Sequence, residues 1–148
     1  MKLLLDTHVW IWSHLQPERL VPAVAAALQT PENELWLSPI SVWEFVLLVE
    51  RGRIVVDGDV GAWVEQAWRR APMHEAPLNR EVALRSRTVR VPHQDPADRF
   101  IAATAQVHEL TLVTDDVNLL KGRGYSVLPN RPGLRRSRGA RAVSDSRR

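Results

Sequence analysis

Apolar positions along this chain switch between short continuous runs and helical spacing, and the alternation predicts strands alternating with helices. Lys2-Leu3-Leu4-Leu5 is a short buried strand stopped by Asp6, and Thr7 to Leu15 reads as a helix through Val9, Trp10, Ile11 and Trp12. Pro17 to Gln29 reads as a second helix, with Leu20, Val21, Val24 and Leu28 apolar and Pro22 marking a first turn or a kink. Glu34 to Leu37 is a second strand. Ser38-Pro39 then opens a helix, serine as N-cap and proline at the first position, which runs to about Arg51 and closes at Gly52. Further on, Ile54 to Val56 is a short extended piece, Asp57-Gly58-Asp59 a turn, Val60 to Ala71 an amphipathic helix, Met73 to Leu78 strand or loop, and Asn79 to Val89 a charged surface helix. Asp95-Pro96 opens a helix through about Glu109, Thr111 to Thr114 is a strand, Asp116 to Lys121 a short helix, and Tyr125 to Leu128 a last strand. The pattern predicts an α/β fold with a parallel sheet covered on both faces, whose ligands bind outside the carboxyl ends of the strands.

Acids collect at those ends. Asp6 directly follows the first strand, and Asp115 and Asp116 follow Leu112-Val113-Thr114. Taken singly, each aspartate has an ordinary explanation as a turn residue or helix cap. Glu44 is different: between Ile40 and Val49 the only polar side chains are Ser41 and Glu44, three apart and on one face. A helix apolar all round is expected to be buried. A buried carboxylate needs an arginine from elsewhere, a proton, or a metal. In Asp95-Pro96-Ala97-Asp98, Asp95 fits the N-cap, which leaves Asp98 free to face the crevice at the head of a second apolar helix. Asp6, Glu44, Asp98 and Asp116 thus reach one edge from four elements, with Asp115 in reserve. Such a cluster raises its own pKa values unless a divalent cation neutralises it, and hard oxygen donors suit Mg2+ or Mn2+. That is the chemistry of phosphodiester hydrolysis.

Charge sharpens this picture. The formal net charge of the 148 residues is +3, yet residues 131–148 hold seven arginines against Asp145 alone, and residues 1–130 carry 13 basic and 16 acidic groups. The chain reads as a mildly acidic domain, 1–130, followed by a basic tail, 131–148, expected to be disordered, with Arg135, Arg136 and Arg138 as candidate RNA-phosphate contacts. Cysteine is absent, which excludes disulfides and thiolate sites and fits a reducing, cytoplasmic location. No apolar run approaches the roughly 20 residues of a membrane-spanning helix. The five histidines show no metal-binding spacing, and there is no glycine-rich phosphate loop.

Four segments, Leu3-Leu4-Leu5-Asp6-Thr7, Ser41-Val42-Trp43-Glu44, His93-Gln94-Asp95-Pro96-Ala97-Asp98-Arg99 and Leu112-Val113-Thr114-Asp115-Asp116, resemble in order and spacing the PIN-domain ribonucleases, most closely the VapC-type toxins of bacterial toxin–antitoxin pairs. The resemblance covers about residues 1–129. It implies a three-layer α/β/α domain with a central parallel sheet, and Mg2+- or Mn2+-dependent cleavage of RNA. Its metal acids align with Asp6, Glu44, Asp98 and Asp116. Thr7 and Thr114 are expected to hold the acidic loops, with Ser41, Arg99 and Asp115 also in supporting or substrate-positioning places. Arg99 has two expectations, pairing with an acid or touching a phosphate, and His93 is expected to be a loop histidine. The implied partners are an RNA substrate, a small antitoxin and a second copy of the chain. Two other classes stand beside this one. The first is a catalytically silent RNA- or protein-binding module. The second is a phosphohydrolase of small esters, whose phospho-aspartate form would want Asp-x-Asp where the chain has Asp6-Thr7-His8.

Overall fold

The computed structural model describes residues 1–133. Five strands, β1 (Lys2–Leu5), β2 (Glu34–Leu37), β3 (His74–Glu75), β4 (Thr111–Thr114) and β5 (Val127–Pro129), form one sheet in the order β3-β2-β1-β4-β5. Every pairing is parallel, with Leu3 opposite Leu35 on one side and Leu5 opposite Val113 on the other. Seven α-helices cover it: α1 (Thr7–Leu15), α2 (Pro22–Gln29), α3 (Pro39–Glu50), α4 (Val60–Arg70), α5 (Arg80–Arg85), α6 (Pro96–Val107) and α7 (Val117–Lys121).

Side chains alternate across a strand, so β1 feeds two cores. Leu4 packs with Leu112 against Val82, Ile101, Ala102 and Leu119 of α5, α6 and α7. Leu3 and Leu5 pack with Val113 against Val9, Trp10, Val24, Phe45 and Ala67 of α1 to α4. Helices on both faces give the expected three-layer α/β/α architecture. They also explain why β1 and β4 read as continuous apolar runs rather than alternating ones.

Several expected elements differ in detail. Pro17 to Gln29 is not one helix but a 3-10 turn at Pro17–Arg19, an extended Leu20-Val21, and then α2 with Pro22 in its first turn. The break is pinned by Asn130, whose Oδ1 accepts from the Val21 N–H at 2.8 Å and whose Nδ2 donates to the Arg19 carbonyl at 3.2 Å. Residues 54–56 join no strand. The 79–89 segment is helical only over Arg80–Arg85, and the turns that follow present the carbonyls of Ser86 and Val89 to the Arg99 side chain. Helix α6 ends at Val107; Glu109 adopts a left-handed φ of 55°, and the Leu110 N–H returns to the Ala105 carbonyl at 2.9 Å, which closes the helix without a glycine. Helix α3 departs most from expectation. Only Ser41 and Phe45 are fully buried, and Trp43 is 53% exposed.

From β1 the chain moves toward β2 and β3, then crosses back to β4 and on to β5. Its direction reverses between β1 and β4. A crevice therefore opens outside the carboxyl ends of these two central strands, the place where open parallel sheets bind ligands.

Candidate metal centre and active site

Asp6 stands at the floor of that crevice, 7% exposed. It caps α1: Oδ1 accepts from the Thr7 N–H at 2.8 Å, while Oδ2 accepts from the Thr114 hydroxyl at 2.6 Å. Thr114, the last residue of β4, also accepts the Asp116 N–H on the same hydroxyl oxygen at 3.0 Å. One buried hydroxyl thus ties the two strand ends together and fixes Asp6 relative to Asp116. Asp116 caps α7 through Oδ1, which accepts from the N–H groups of Asn118 at 2.8 Å and Leu119 at 3.0 Å. Each carboxylate oxygen has more than one lone pair, so both acids cap a helix and still offer an acceptor to the crevice.

The third acid comes from α3. The Thr7 hydroxyl donates to Glu44 Oε1, and the Ser41 hydroxyl lies 2.9 Å from Thr7 Oγ1. A hydroxyl has one proton; with Thr7's committed to the carboxylate, Ser41 supplies the other bond. The spacing of Ser41 and Glu44 on one helix face is what makes this chain reach Thr7. The fourth acid is on α6. Asp95 caps the helix, its Oδ1 accepting from the Ala97 N–H at 3.0 Å, and Asp98, one turn in, turns toward the other acids.

The electrostatics follow. Burial pushes Asp98 up to about 8, and the charges of Asp6, Asp95, Asp116 and Glu44 push the same way. Asp6 is raised to about 6, chiefly by burial, with the bonds from Thr114 and Thr7 working against the rise. Glu44 is raised as well, again by burial, and lowered in part by Thr7. Among the described residues no lysine or arginine pairs with any of the four. One ligand atom each from His93, Asp98 and Asp116 fall within 4.8 Å of one another. Crowded carboxylates without a counter-charge fit a hard divalent cation, which takes oxygen donors and removes the repulsion.

The supporting residues divide. Asp115 is half-buried, its carbonyl accepts from Arg131 Nε at 2.7 Å, and its charge is not among those bearing on Asp98. Arg99 meets neither expectation. It is 6% exposed and turned away from acid and solvent alike. Its guanidinium donates to the carbonyls of Ser86 (2.8 Å), Val89 (2.7 Å), Val91 (3.3 Å) and His93 (3.2 Å). A planar fork of five donors suits a curved loop of carbonyls, and its role is to fix the 86–93 segment on α6. His93, at the end of that segment, is more than a loop residue: its Nε2 lies 2.9 Å from Asp98 Oδ2. Its position five residues before Asp98 carried no helical signal that could announce the contact. Arg135, Arg136 and Arg138 lie outside the described residues.

A cleft of about 500 Å³ adjoins the acids between α3 and α6, with Thr7 and Glu44 at one end and Trp43, Leu47, Pro96 and Phe100 along its walls.

With this site at the switch point of a five-stranded parallel sheet, the family model of the PIN domain matches residues 3–123, and the chain belongs to the PIN-domain family. Among its relatives is Ribonuclease VapC22 of Mycobacterium tuberculosis, 34% identical over 124 residues, a stretch that spans 82% of this chain and 92% of that protein. Among solved structures, the VapBC2 complex of Rickettsia felis bound to a promoter DNA fragment superposes with a TM-score of 0.63 at 13% identity, covering 87% of this chain and 98% of the other. A toxin–antitoxin complex from Klebsiella pneumoniae gives 0.60 at 19% identity, with the same coverage of 87% and 98%. At these identities the two structures speak to the fold.

Proposed function

We propose that the chain is a divalent-metal-dependent endoribonuclease acting as the toxin of a toxin–antitoxin pair. The observation that carries the chemistry is the convergence of Asp6, Glu44, Asp98 and Asp116 from four separate elements, two of them strongly raised in pKa and none paired with a lysine or arginine among the described residues. The 34% identity to a VapC ribonuclease supports RNA as the substrate. In this reading the four carboxylates hold Mg2+ or Mn2+. When bound, such a cation supplies Lewis acidity, acidifying water for in-line attack on a phosphodiester and offsetting charge at the phosphorus. Thr114 bonds both Asp6 and Asp116, and Thr7 bonds Glu44, which limits how far these carboxylates can drift apart. The substrate in this reading is single-stranded RNA or a structured loop.

The apolar cleft between α3 and α6 and the exposed Trp43 suit a protein partner beside the active edge, which we assign to a small antitoxin; a second copy of the chain is the further partner. Residues 1–130 form the nuclease unit, and the arginines of 131–148 add salt-sensitive phosphate contacts. No helix among the described residues is long and apolar enough to cross a membrane.

The test is incubation of the purified chain with a mixed RNA pool, with and without Mg2+, beside Asp6→Asn. Cleavage by the wild type alone, abolished by chelator, is the expected result. Equal cleavage by Asp6→Asn or in excess chelator refutes the mechanism. RNA bound but uncut at every cation concentration points to the silent binding module instead.

A further inference from the structure

His93 reaches the acidic centre from a segment with no acid of its own, and its two ring nitrogens have different surroundings. Nε2 is buried and lies 2.9 Å from Asp98 Oδ2, but it is not aligned for a hydrogen bond there and makes none elsewhere. Nδ1 accepts the backbone N–H of Asp95 at 3.2 Å. The hydrogen bond made by one imidazole nitrogen decides what the other carries. A nitrogen that accepts from an N–H has its lone pair engaged and bears no proton, so the proton of neutral His93 is on Nε2. A protonated Nε2 has no lone pair to give a metal. It stands beside a carboxylate at the distance of a charge-assisted hydrogen bond, and the ring must reorient for its N–H to make one.

The segment is built for this. Arg99 donates to the His93 carbonyl itself and to those of Val91, Val89 and Ser86, so the histidine backbone is clamped to the same helix that carries Asp98. Asp95, which supplies the N–H for Nδ1, is the cap of that helix. Ring orientation, tautomer and Asp98 are therefore set by one rigid unit.

We infer that His93, carrying its proton on Nε2, is the positioning residue of Asp98: it steadies that carboxylate from the Oδ2 side, and it would not itself be a metal ligand although its nitrogen lies within 4.8 Å of ligand atoms of Asp98 and Asp116. The inference rests on the metal-centre reading above.

The experiment uses the full chain and Mn2+ as the probe. Pulsed electron paramagnetic resonance of bound Mn2+ is expected to show no directly coordinated nitrogen. His93→Ala is expected to lower kcat about tenfold with KM changed less than about twofold. His93→Gln, whose amide N–H₂ reaches the place of Nε2–H, is expected to recover most of that loss, while His93→Asn is not. A strong imidazole-nitrogen coupling to Mn2+ overturns the inference, as does Ala activity equal to wild type, or Gln no better than Ala. If the variants do not fold, the spectrum of the wild type alone decides. Failure of the underlying reading looks different: the wild type then neither binds Mn2+ nor cuts RNA, and both fall together.

Discussion

Helices α3 and α6 are each 12 residues long, each starts with a polar cap followed by proline, and each delivers one acid to the same crevice, yet they are anchored in opposite ways. The sequence of α3 is the more apolar, but only Ser41 and Phe45 are fully buried. Helix α6 buries Ala97, Arg99, Ile101, Ala102, Ala103, Thr104 and Ala105. Alanines let α6 lie close on the sheet, and its central anchor is a polar one, the Arg99 guanidinium with its four carbonyls. The anchor of α3 is aromatic: Phe45 stacks on Trp63 at 4.6 Å between ring centroids and meets Trp10 edge-on at 5.6 Å. Burial thus follows a helix's seat over the sheet, not its count of apolar residues. Apolar surface beyond what the core takes, as at Trp43, is the face that the proposed protein partner would cover.

The difference predicts unequal catalytic consequences. Asp98 sits on the rigid helix, close to His93 and Asp116, while Glu44 is tied in through one threonine hydroxyl. Asp98→Asn should reduce RNA cleavage by about 10³-fold or more, the loss of several kcal/mol of charge stabilisation. Glu44→Gln should cost about 10- to 100-fold. Initial rates on a labelled RNA at saturating Mg2+ measure both, and equal losses would break the contrast between the helices.

Next in size is stability. Arg99→Met leaves buried carbonyls without donors and should cost about 3–5 kcal/mol. Arg99→Lys should recover little, since one ammonium cannot span four carbonyls. Phe45→Ala should cost about 3–5 kcal/mol through the cavity it leaves. Urea unfolding of the three variants tests the claim that α6 is held by polar bonds and α3 by packing; full rescue by lysine would refute the first half.

A smaller effect couples the crevice to pH. Asp98 at about 8 and Asp6 at about 6 both lie above the ordinary 3.8 of aspartate. As pH rises through this window the unfolded chain releases these protons first, so unfolding becomes easier. Without divalent cation, the melting temperature should therefore fall from about pH 4 to pH 8 and level off above, by several degrees. Mg2+ should raise it more at pH 8 than at pH 5, where it competes with protons, and Asp98→Asn should flatten the slope. A melting temperature that climbs toward pH 8 without cation would show that the acids are not the crowded group described here.

The same contrast explains what was legible in the sequence. Strands β1 and β4 were plain because buried parallel strands are continuous apolar runs, and the caps Ser38 and Asp95 because a cap bonds its own first turn, whereas Asp59, which reads as a turn residue, proves to cap α4. Local chemistry is written locally. Bonds between distant segments are not: Asn130 breaking the 17–29 segment, Arg99 gathering the carbonyls of 86–93, and His93 turning toward Asp98 each depend on chain folding back from far away or on a loop path that no periodicity records. Asp6 and Asp116 emerged from the sequence because strand ends share an edge, and Glu44 and Asp98 because each is an unassigned acid on an apolar helix. The reason they are held still, the Thr114 hydroxyl shared by Asp6 and Asp116, needed coordinates.

The smallest expected effect is the sharpest test of α3. Trp43 and Phe45 are two residues apart on one helix, one 53% exposed and one fully buried. If the exposed face of α3 is surface held for a partner, Trp43→Ala changes the unfolding free energy of the isolated chain by no more than about 0.5 kcal/mol, against the several lost at Phe45. The substitution should leave RNA cleavage by the free chain close to wild type while weakening capture by a bound protein partner. A loss above about 1.5 kcal/mol, comparable with burying a large side chain, would mean that Trp43 belongs to the chain's own core and that α3 is buried as its sequence implies.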